Sequence, residues 1–293
     1  MKNILSKFLA LFNLGLIKLD EHEELKNNVK KLQKEAAAHS RIRKHARKFG
    51  HISTNELLPN YQKTVLIVTY GRSGSTLLQG VLNSMPDFCI RGENHNFFGS
   101  IQAVANAYAS WEKLRRPEAS LSTDPWFGSL FLPKRDIFMQ RLLDFCLWNM
   151  FPTGGTYTTI GFKENRYYYQ FAKADKQKLF TYLNFLFSFF RNTSFIVHKR
   201  NLADVAKSSW WAKRPQETVI EDLLRFEDIM EEYSSLHPER CYFTSHEDIV
   251  GCTDVAKGLY TFLGTTFDEQ AYQKVLQTPH SRSWPTSANN VQC

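Results

Sequence analysis

Short continuous runs of apolar and β-branched residues recur along the chain, and stretches with helical spacing separate them. Runs of this length and composition are typical of strands buried on both faces of a parallel sheet. Their alternation with helical stretches predicts βα units with right-handed crossovers, and therefore an α/β fold with an open parallel sheet flanked by helices. The predicted strands are 64–70, 88–91, 158–163, 194–199 and 241–245.

Helical spacing predicts the elements between and before these strands. Residues 98–156 contain little strand pattern and several Trp and Phe residues, so we interpret them as a helical insertion that forms one wall of a cleft. Residues 1–50 are interpreted as a basic helical extension, which leaves 51–293 as the α/β domain. The predicted helices of that domain are 75–85, 137–150, 176–190, 204–212 and 218–236.

The basic character of the chain belongs to the extension. The 293 residues have a formal net charge of +8, but residues 1–50 hold 12 Lys and Arg against 5 Asp and Glu, and the rest hold 25 against 24. Because the domain is nearly neutral, we expect no nucleic-acid partner. The apolar run 8–17 is too short to cross a bilayer. Residues 1–20 therefore make a peripheral membrane contact, pack on a partner, or pack on the protein itself.

The cysteines indicate a reducing compartment. Their number is odd, they are widely spaced, and no CxxC pair occurs in the sequence. This pattern favours reduced thiols over a disulfide scaffold or a zinc site. We therefore expect a cytoplasmic location, with the inner membrane surface as the alternative if residues 1–20 bind lipid.

A glycine-containing loop follows the first predicted strand, in the sequence TYGRSGSTLL that begins at Thr69. Gly71 and Gly74 allow a tight turn, and the unpaired N–H groups and dipole of the following helix favour a phosphate or sulfate group. A nucleoside triphosphatase loop has a Lys after its last glycine, but no Lys follows Gly74 here. The loop also lacks the GxGxxG spacing of a dinucleotide site. The predicted anion-binding residues are Arg72, Ser73, Gly74, Ser75, Thr76 and Leu77.

A second strand end carries similar chemistry. The predicted strand 194–199 is followed by Arg200, and the next predicted helix contains Ser208. After a turn, this guanidinium and this hydroxyl can converge on one phosphate group. Two anion sites on one sheet favour a ligand with an anionic group at each end.

The two loops, TYGRSGSTLL and RNLADVAKS, resemble the signature loops of sulfotransferases that depend on 3′-phosphoadenosine 5′-phosphosulfate (PAPS). The resemblance continues more weakly through GFKENRY and SHEDIV, and so covers roughly residues 64–280. It implies a P-loop-like α/β sulfotransferase architecture, with PAPS as co-substrate and no metal. It also implies that the first loop holds the 5′-phosphosulfate, while Arg200 and Ser208 hold the 3′-phosphate.

The candidate catalytic residues follow from this resemblance and from their positions. Glu93 stands directly after the second predicted strand, at the edge where open α/β sheets bind ligands, and the family places a catalytic Glu here. We take Glu93 as the general base, with His95 as the alternative. Arg72 joins the catalytic set because the resemblance puts it beside the transferred group. Lys163 either contacts that group or the acceptor, or pairs with an acid such as Glu164.

The resemblance also bears on the acceptor. Many cytosolic members that sulfate phenols and steroids have Lys where Arg72 stands and use a His base, so this chain looks more like the carbohydrate and protein-tyrosine branches. That implies in-line transfer of a sulfuryl group to a hydroxyl of a carbohydrate or glycolipid. Two alternatives stay open: a kinase-like transferase that uses a nucleoside triphosphate, and a non-catalytic nucleotide sensor at a membrane surface. The sequence determines neither the acceptor's identity nor the oligomeric state.

Overall fold

A computed structural model describes residues 26–27, 30, 53–116, 119, 121–151, 156–172 and 175–279. The predicted extension 1–50, apart from residues 26, 27 and 30, and the predicted membrane contact through 1–20 lie outside the described residues. The chain divides into two units, residues 1–59 with 152–155 and residues 60–151 with 156–293. In the first unit, the short helix α1 (Thr54–Leu57) begins with a reciprocal capping box between Ser53 and Glu56.

The second unit contains one five-stranded sheet in which every strand is parallel to its neighbours. The strand order is β2-β3-β1-β4-β5. This arrangement confirms the predicted α/β class with an open parallel sheet. The strands are β1 (Lys63–Val68), β2 (Phe88–Arg91), β3 (Thr159–Glu164), β4 (Thr193–Lys199) and β5 (Cys241–Ser245).

Helices connect and cover these strands. Within the predicted insertion 98–156, the described elements are the helices α3 and α4 and a 3₁₀ turn at Ser129–Phe131. None of the described helices combines the length and the apolar character needed to cross a membrane. The helices after α1 are α2 (Ser75–Ser84), α3 (Phe97–Glu112), α4 (Arg135–Met150), α5 (Lys176–Phe189), α6 (Leu202–Ala206), α7 (Gln216–Leu236), α8 (His246–Gly251), α9 (Asp254–Leu263) and α10 (Glu269–Gln277).

The predicted helix 204–212 differs from the structure. Helix α6 ends at Ala206, and Ser209 has a φ of 53°, which lies outside the α-helical region. The chain then makes a 3₁₀ turn at Trp211–Lys213. This break directs Trp211 into the core, where it is fully buried, and leaves Trp210 47% exposed.

Apolar side chains on the two faces of the sheet pack against separate layers of helices. Successive residues of a strand point to opposite faces, so Val65 and Ile67 of β1 belong to a cluster that also contains residues of α2, α9 and α10. On β3, Phe162 stacks on Phe98 of α3 with ring centroids 4.8 Å apart. A Cβ on Gly161 would lie 1.7 Å from the Val65 carbonyl oxygen, so β3 can approach β1 this closely only with glycine there.

The strand order creates a crevice at the carboxyl edge of the sheet. The connection after β1 leads to β2, on one side, while the connection after β4 leads to β5, on the other. Because the two connections leave in opposite directions, the carboxyl ends of β1 and β4 form a topological switch point, where open α/β sheets bind ligands. Both predicted anion-binding loops start at this point.

Candidate functional site

A cleft of about 260 Å³ lies at this edge of the sheet. It brings together residues that follow all five strands of the sheet. Among the described residues, no group of three or more His, Cys, Asp or Glu side chains is placed to hold a metal ion. The cleft is lined by Arg72, Gly74, Ser75, Thr76, Leu77, Glu93, Lys163, Asn165, Arg200, Trp210 and His246.

The loop after β1 turns tightly into α2. Arg72 and Gly74 both have left-handed backbones, with φ values of 71° and 83°, and Gly74 is the N-cap of α2. Two rings also lie against the glycines of this loop. A Cβ on Gly71 would lie 2.4 Å from Trp210 Cζ2, and a Cβ on Gly74 would lie 2.3 Å from His246 Nδ1. The loop therefore needs glycine at both positions. At Gly71 the reason is the close approach of the Trp210 ring, and at Gly74 it is the His246 ring together with the left-handed backbone.

Buried hydrogen bonds hold this loop in place. Trp211 Nε1 donates to the Gly71 carbonyl oxygen over 2.9 Å. The Thr69 hydroxyl donates to the His198 carbonyl oxygen over 2.6 Å and lies 2.7 Å from Ser73 Oγ. Ser73 is fully buried, so its hydroxyl braces the loop from behind, whereas Ser75 and Thr76 line the cleft.

The loop after β4 meets the loop after β1. Arg200 Nη1 donates to the Arg72 carbonyl oxygen over 3.4 Å, and Arg72 Nε donates to Ser208 Oγ over 3.0 Å. Arg200 Nε is buried and has no hydrogen-bond partner among the described residues. The two predicted anion sites are therefore parts of one continuous cationic surface, and Ser208 contacts it through Arg72.

A buried Tyr–Glu pair fixes the backbone of Arg200. Tyr70 donates its hydroxyl to Glu227 Oε1 over 2.6 Å, and the same hydroxyl oxygen accepts from the Arg200 backbone N–H over 3.0 Å. Burial, together with Glu227, raises the pKa of Tyr70. Burial also raises the pKa of Glu227, although the hydrogen bond from Tyr70 opposes that shift. A satisfied buried pair of this kind resists rearrangement, so it holds Arg200 at the cleft.

Glu93 and Lys163 form an ion pair inside the cleft. Lys163 Nζ lies 3.1 Å from Glu93 Oε1 and donates to Thr76 Oγ1 over 3.1 Å. The Lys163 side chain is 8% exposed, while that of Glu93 is 40% exposed. In the structure, Lys163 pairs with Glu93 rather than with Glu164. His95 is exposed, with a φ of 55°, and does not line the cleft.

Glu164 has a structural task that the sequence did not reveal. Its fully buried carboxylate accepts backbone N–H groups from Asn94 and Asn96 through Oε2, and from Asn165 and Arg166 through Oε1. These four bonds tie the loop after β2 to the loop after β3. The sequence signal for this role was the position of Glu164 at the end of a buried strand. A buried carboxylate needs several hydrogen-bond donors around it.

His246 also lines the cleft and was not identified from the sequence as a site residue. It begins α8 directly after β5. Because the carboxyl ends of parallel strands meet at one edge of the sheet, this position could have been recognised as part of the site. Burial and the nearby Arg200 guanidinium lower the pKa of His246. Beneath it, burial and then His246 lower the pKa of His198 to about 3. Both imidazoles are therefore neutral near pH 7.

Residues 64–269 match the sulfotransferase family, and this range includes both loops, Glu93 and Lys163. Among solved structures, the chain is similar to the sulfotransferase domain from the curacin biosynthetic pathway, with 15% identity, a TM-score of 0.45, and coverage of 75% of this chain and 80% of that one. It is also similar to the sulfotransferase domain of the Synechococcus PCC 7002 olefin synthase, with 19% identity, a TM-score of 0.44, and coverage of 75% and 79%.

The search of curated proteins found no match. The family match nevertheless spans more than half of the 293 residues. It contains the whole five-stranded sheet except the first residue of β1. The chain belongs to the sulfotransferase family.

Proposed function

We propose that this protein transfers the sulfuryl group of PAPS to a hydroxyl group of a carbohydrate or glycolipid. The observation that carries the proposal is the single cleft in which the loop after β1, the Arg200 guanidinium and the Glu93–Lys163 pair meet. Such a cleft offers cationic and N–H donors for a doubly anionic nucleotide, and a carboxylate beside them.

The loop after β1 suits the 5′-phosphosulfate. The N-terminus of α2 presents backbone N–H groups, and the helix dipole favours an anion there. Ser75, Thr76 and Arg72 line the same part of the cleft. We assign these residues, with Gly74 and Leu77, to the phosphosulfate. Ser73 contributes its backbone, because its side chain faces the interior.

Arg200 suits the 3′-phosphate. Its Nε has no partner among the described residues, and a buried guanidinium donor favours an anionic acceptor. Ser208 supports the arrangement by accepting from Arg72. Ligation at both ends of the nucleotide would distinguish PAPS from nucleotides without a 3′-phosphate.

We assign the general base to Glu93, since it lines the cleft and His95 does not. Glu93 takes the proton of the acceptor hydroxyl while the hydroxyl oxygen forms a bond to sulfur. The bond between sulfur and the phosphate oxygen breaks at the same time, and adenosine 3′,5′-bisphosphate leaves. Lys163, beside Thr76 at the start of α2, stabilises the negative charge that grows on the leaving oxygen. PAPS supplies the activated sulfuryl group.

Exposed aromatic side chains support a carbohydrate or glycolipid acceptor. Within 98–156, Trp111, Trp126 and Phe127 are 51%, 44% and 54% exposed. Exposed rings provide apolar faces on which a sugar ring or a lipid chain can pack. We therefore propose that 98–156 forms the acceptor side of the domain.

Calorimetric titration tests the proposal. We expect adenosine 3′,5′-bisphosphate to bind without added metal and more tightly than ADP. Tighter binding of ATP in the presence of Mg²⁺ would instead favour the kinase-like alternative. Binding of the bisphosphate without transfer of radioactive sulfate from PAPS to any acceptor in a sugar and glycolipid panel would favour the non-catalytic sensor.

A further inference from the structure

A second cavity, of about 390 Å³, also has Glu93 in its lining. Glu93 is the residue that this cavity shares with the nucleotide cleft. A group in the second cavity can therefore reach the same carboxylate without displacing a ligand from the cleft. The second cavity is lined by Gln79, Ile90, Arg91, Gly92, Glu93, Asn94, Asn149 and Met150.

Amide side chains contribute polar groups to the lining of this cavity. Asn94 Oδ1 accepts from the Phe97 backbone N–H over 3.0 Å, and Asn94 Nδ2 is buried without an acceptor among the described residues. Asn149 Nδ2 donates to the Phe145 carbonyl oxygen over 2.7 Å, which directs its amide nitrogen to its own helix. Because hydroxyl groups both donate and accept, a polyhydroxylated ligand complements such a lining.

The charge in this cavity is unbalanced. Lys163 already neutralises Glu93 across 3.1 Å. Arg91, the last residue of β2, is exposed, and no ion pair to it exists among the described residues. Its guanidinium is therefore the uncompensated charge of the cavity, and guanidinium groups bind carboxylates and sulfate esters through paired N–H donors.

We propose that this cavity binds the acceptor, and that Arg91 selects a polyhydroxylated acceptor with an anionic substituent, either a carboxylate or a sulfate ester. This inference rests on the proposed sulfotransferase function and names the acceptor class of that site. The donor enters from one side of Glu93 and the acceptor from the other. Glu93 then lies beside the acceptor hydroxyl that loses its proton. Arg91, two residues before Glu93 in the sequence, binds the anionic group of the acceptor.

Matched acceptors test the role of Arg91. One is a tetrasaccharide that contains glucuronic acid, the second is its carboxyl-reduced counterpart, and the third carries a sulfate ester on the reduced position. We expect kcat/KM to be at least tenfold higher for an anionic acceptor than for the reduced one, with the preferred anion identifying the substituent. Arg91→Gln should lower kcat/KM about 10- to 100-fold for that acceptor, through KM, and change the reduced one little.

Arg225→Gln is the matched control, since it removes the same charge from an exposed position on α7 that lines neither cavity. It should retain the wild-type preference. No anionic preference in the wild type, or an equal loss for charged and reduced acceptors in Arg91→Gln, would overturn the role of Arg91.

A second variant tests the cavity itself. An added Cβ at Gly92 meets no atom within 4 Å, and its φ lies outside the left-handed range, so Gly92→Leu fills space without backbone strain. Saturation-transfer NMR with the adenosine 3′,5′-bisphosphate complex should detect the anionic tetrasaccharide on the wild type and not on Gly92→Leu. Unchanged acceptor binding in this variant, or no tetrasaccharide binding to the wild type, contradicts the inference. Failure of the bisphosphate itself to bind would instead contradict the proposed function.

Discussion

The loops after β1 and β2 border the same cleft but are held in different ways. The first loop receives contacts from β4, α7, α8 and the turn at Trp211–Lys213, through His198, Tyr70–Glu227, His246 and Trp211. The second loop depends on the Glu164 carboxylate, which accepts the N–H groups of Asn94 and Asn96.

This difference matches the two ligands that we assign to the loops. A nucleotide is the same in every turnover, so a loop braced from several elements can be preorganised for it. The acceptor side is more open, and variation there changes specificity without altering the nucleotide site. The following variants break or sharpen this contrast, from the largest expected effect to the smallest.

Glu93→Gln should separate chemistry from nucleotide binding. Removing the general base should lower kcat about 100- to 10,000-fold. The affinity for adenosine 3′,5′-bisphosphate should stay close to wild type, because the assigned nucleotide contacts lie on the loops after β1 and β4. Steady-state sulfate transfer and calorimetry measure the two quantities. Glu221→Gln, at an exposed position of α7, is the control, and full activity of Glu93→Gln would remove Glu93 from the role of base.

Alanine at Gly74 and at Gly92 compares the two loops directly. At Gly74 the left-handed backbone costs about 1–2 kcal/mol for alanine, and the overlap with His246 adds about 1–3 kcal/mol. We expect that loss in the free energy of unfolding, together with weaker bisphosphate binding. Gly92→Ala meets open space and should change neither quantity. Urea denaturation and calorimetry of both variants provide the measurement, and equal effects at the two sites would contradict the contrast.

Arg200→Ala should affect the nucleotide and leave the acceptor side intact. Loss of a charged hydrogen-bonding partner weakens binding of adenosine 3′,5′-bisphosphate about 10- to 100-fold. Adenosine 5′-phosphosulfate lacks the 3′-phosphate, so its affinity should scarcely change. Calorimetry with both ligands makes the comparison, and an equal loss for the two would argue against a 3′-phosphate site at Arg200.

Acid should destabilise the protein on the nucleotide side. Burial lowers the pKa of His198 to about 3, below an unfolded value of about 6.5. The unfolded chain therefore binds more protons between these values, and stability is lost as the pH falls through 6.5 towards 3. The titration of His198 alone should lower the free energy of unfolding by about 2 kcal/mol between pH 7 and pH 5.

His198→Gln removes the titration while retaining a side-chain hydrogen-bonding group towards Thr244. Urea denaturation at both pH values should show a smaller acid-induced loss in this variant than in the wild type. An unchanged pH dependence would mean that other groups control the acid sensitivity.

Much of the fold was predictable from local patterns. Strands β2 and β5 have the predicted bounds, and β1, β3 and β4 differ by one or two residues at their ends. Hydrophobic runs and glycine-containing turns depend on neighbouring residues, so the sequence records them directly. The end of α6 was not predictable, because the backbone at Ser209 follows from the packing of Trp211 against the loop after β1.

The sequence by itself determined the parallel α/β fold, the glycine-containing loop after β1, the basic residue after β4 and the presence of Glu93 after β2, since each is encoded in a short continuous segment. Only the tertiary structure decided that Lys163 pairs with Glu93 and that Glu164 accepts N–H groups from two loops. Adjacent residues of a strand point to opposite faces, and the register of β3 beside β1 sets what each face meets. Contacts of this kind join segments that are distant in sequence, so no local pattern contains them.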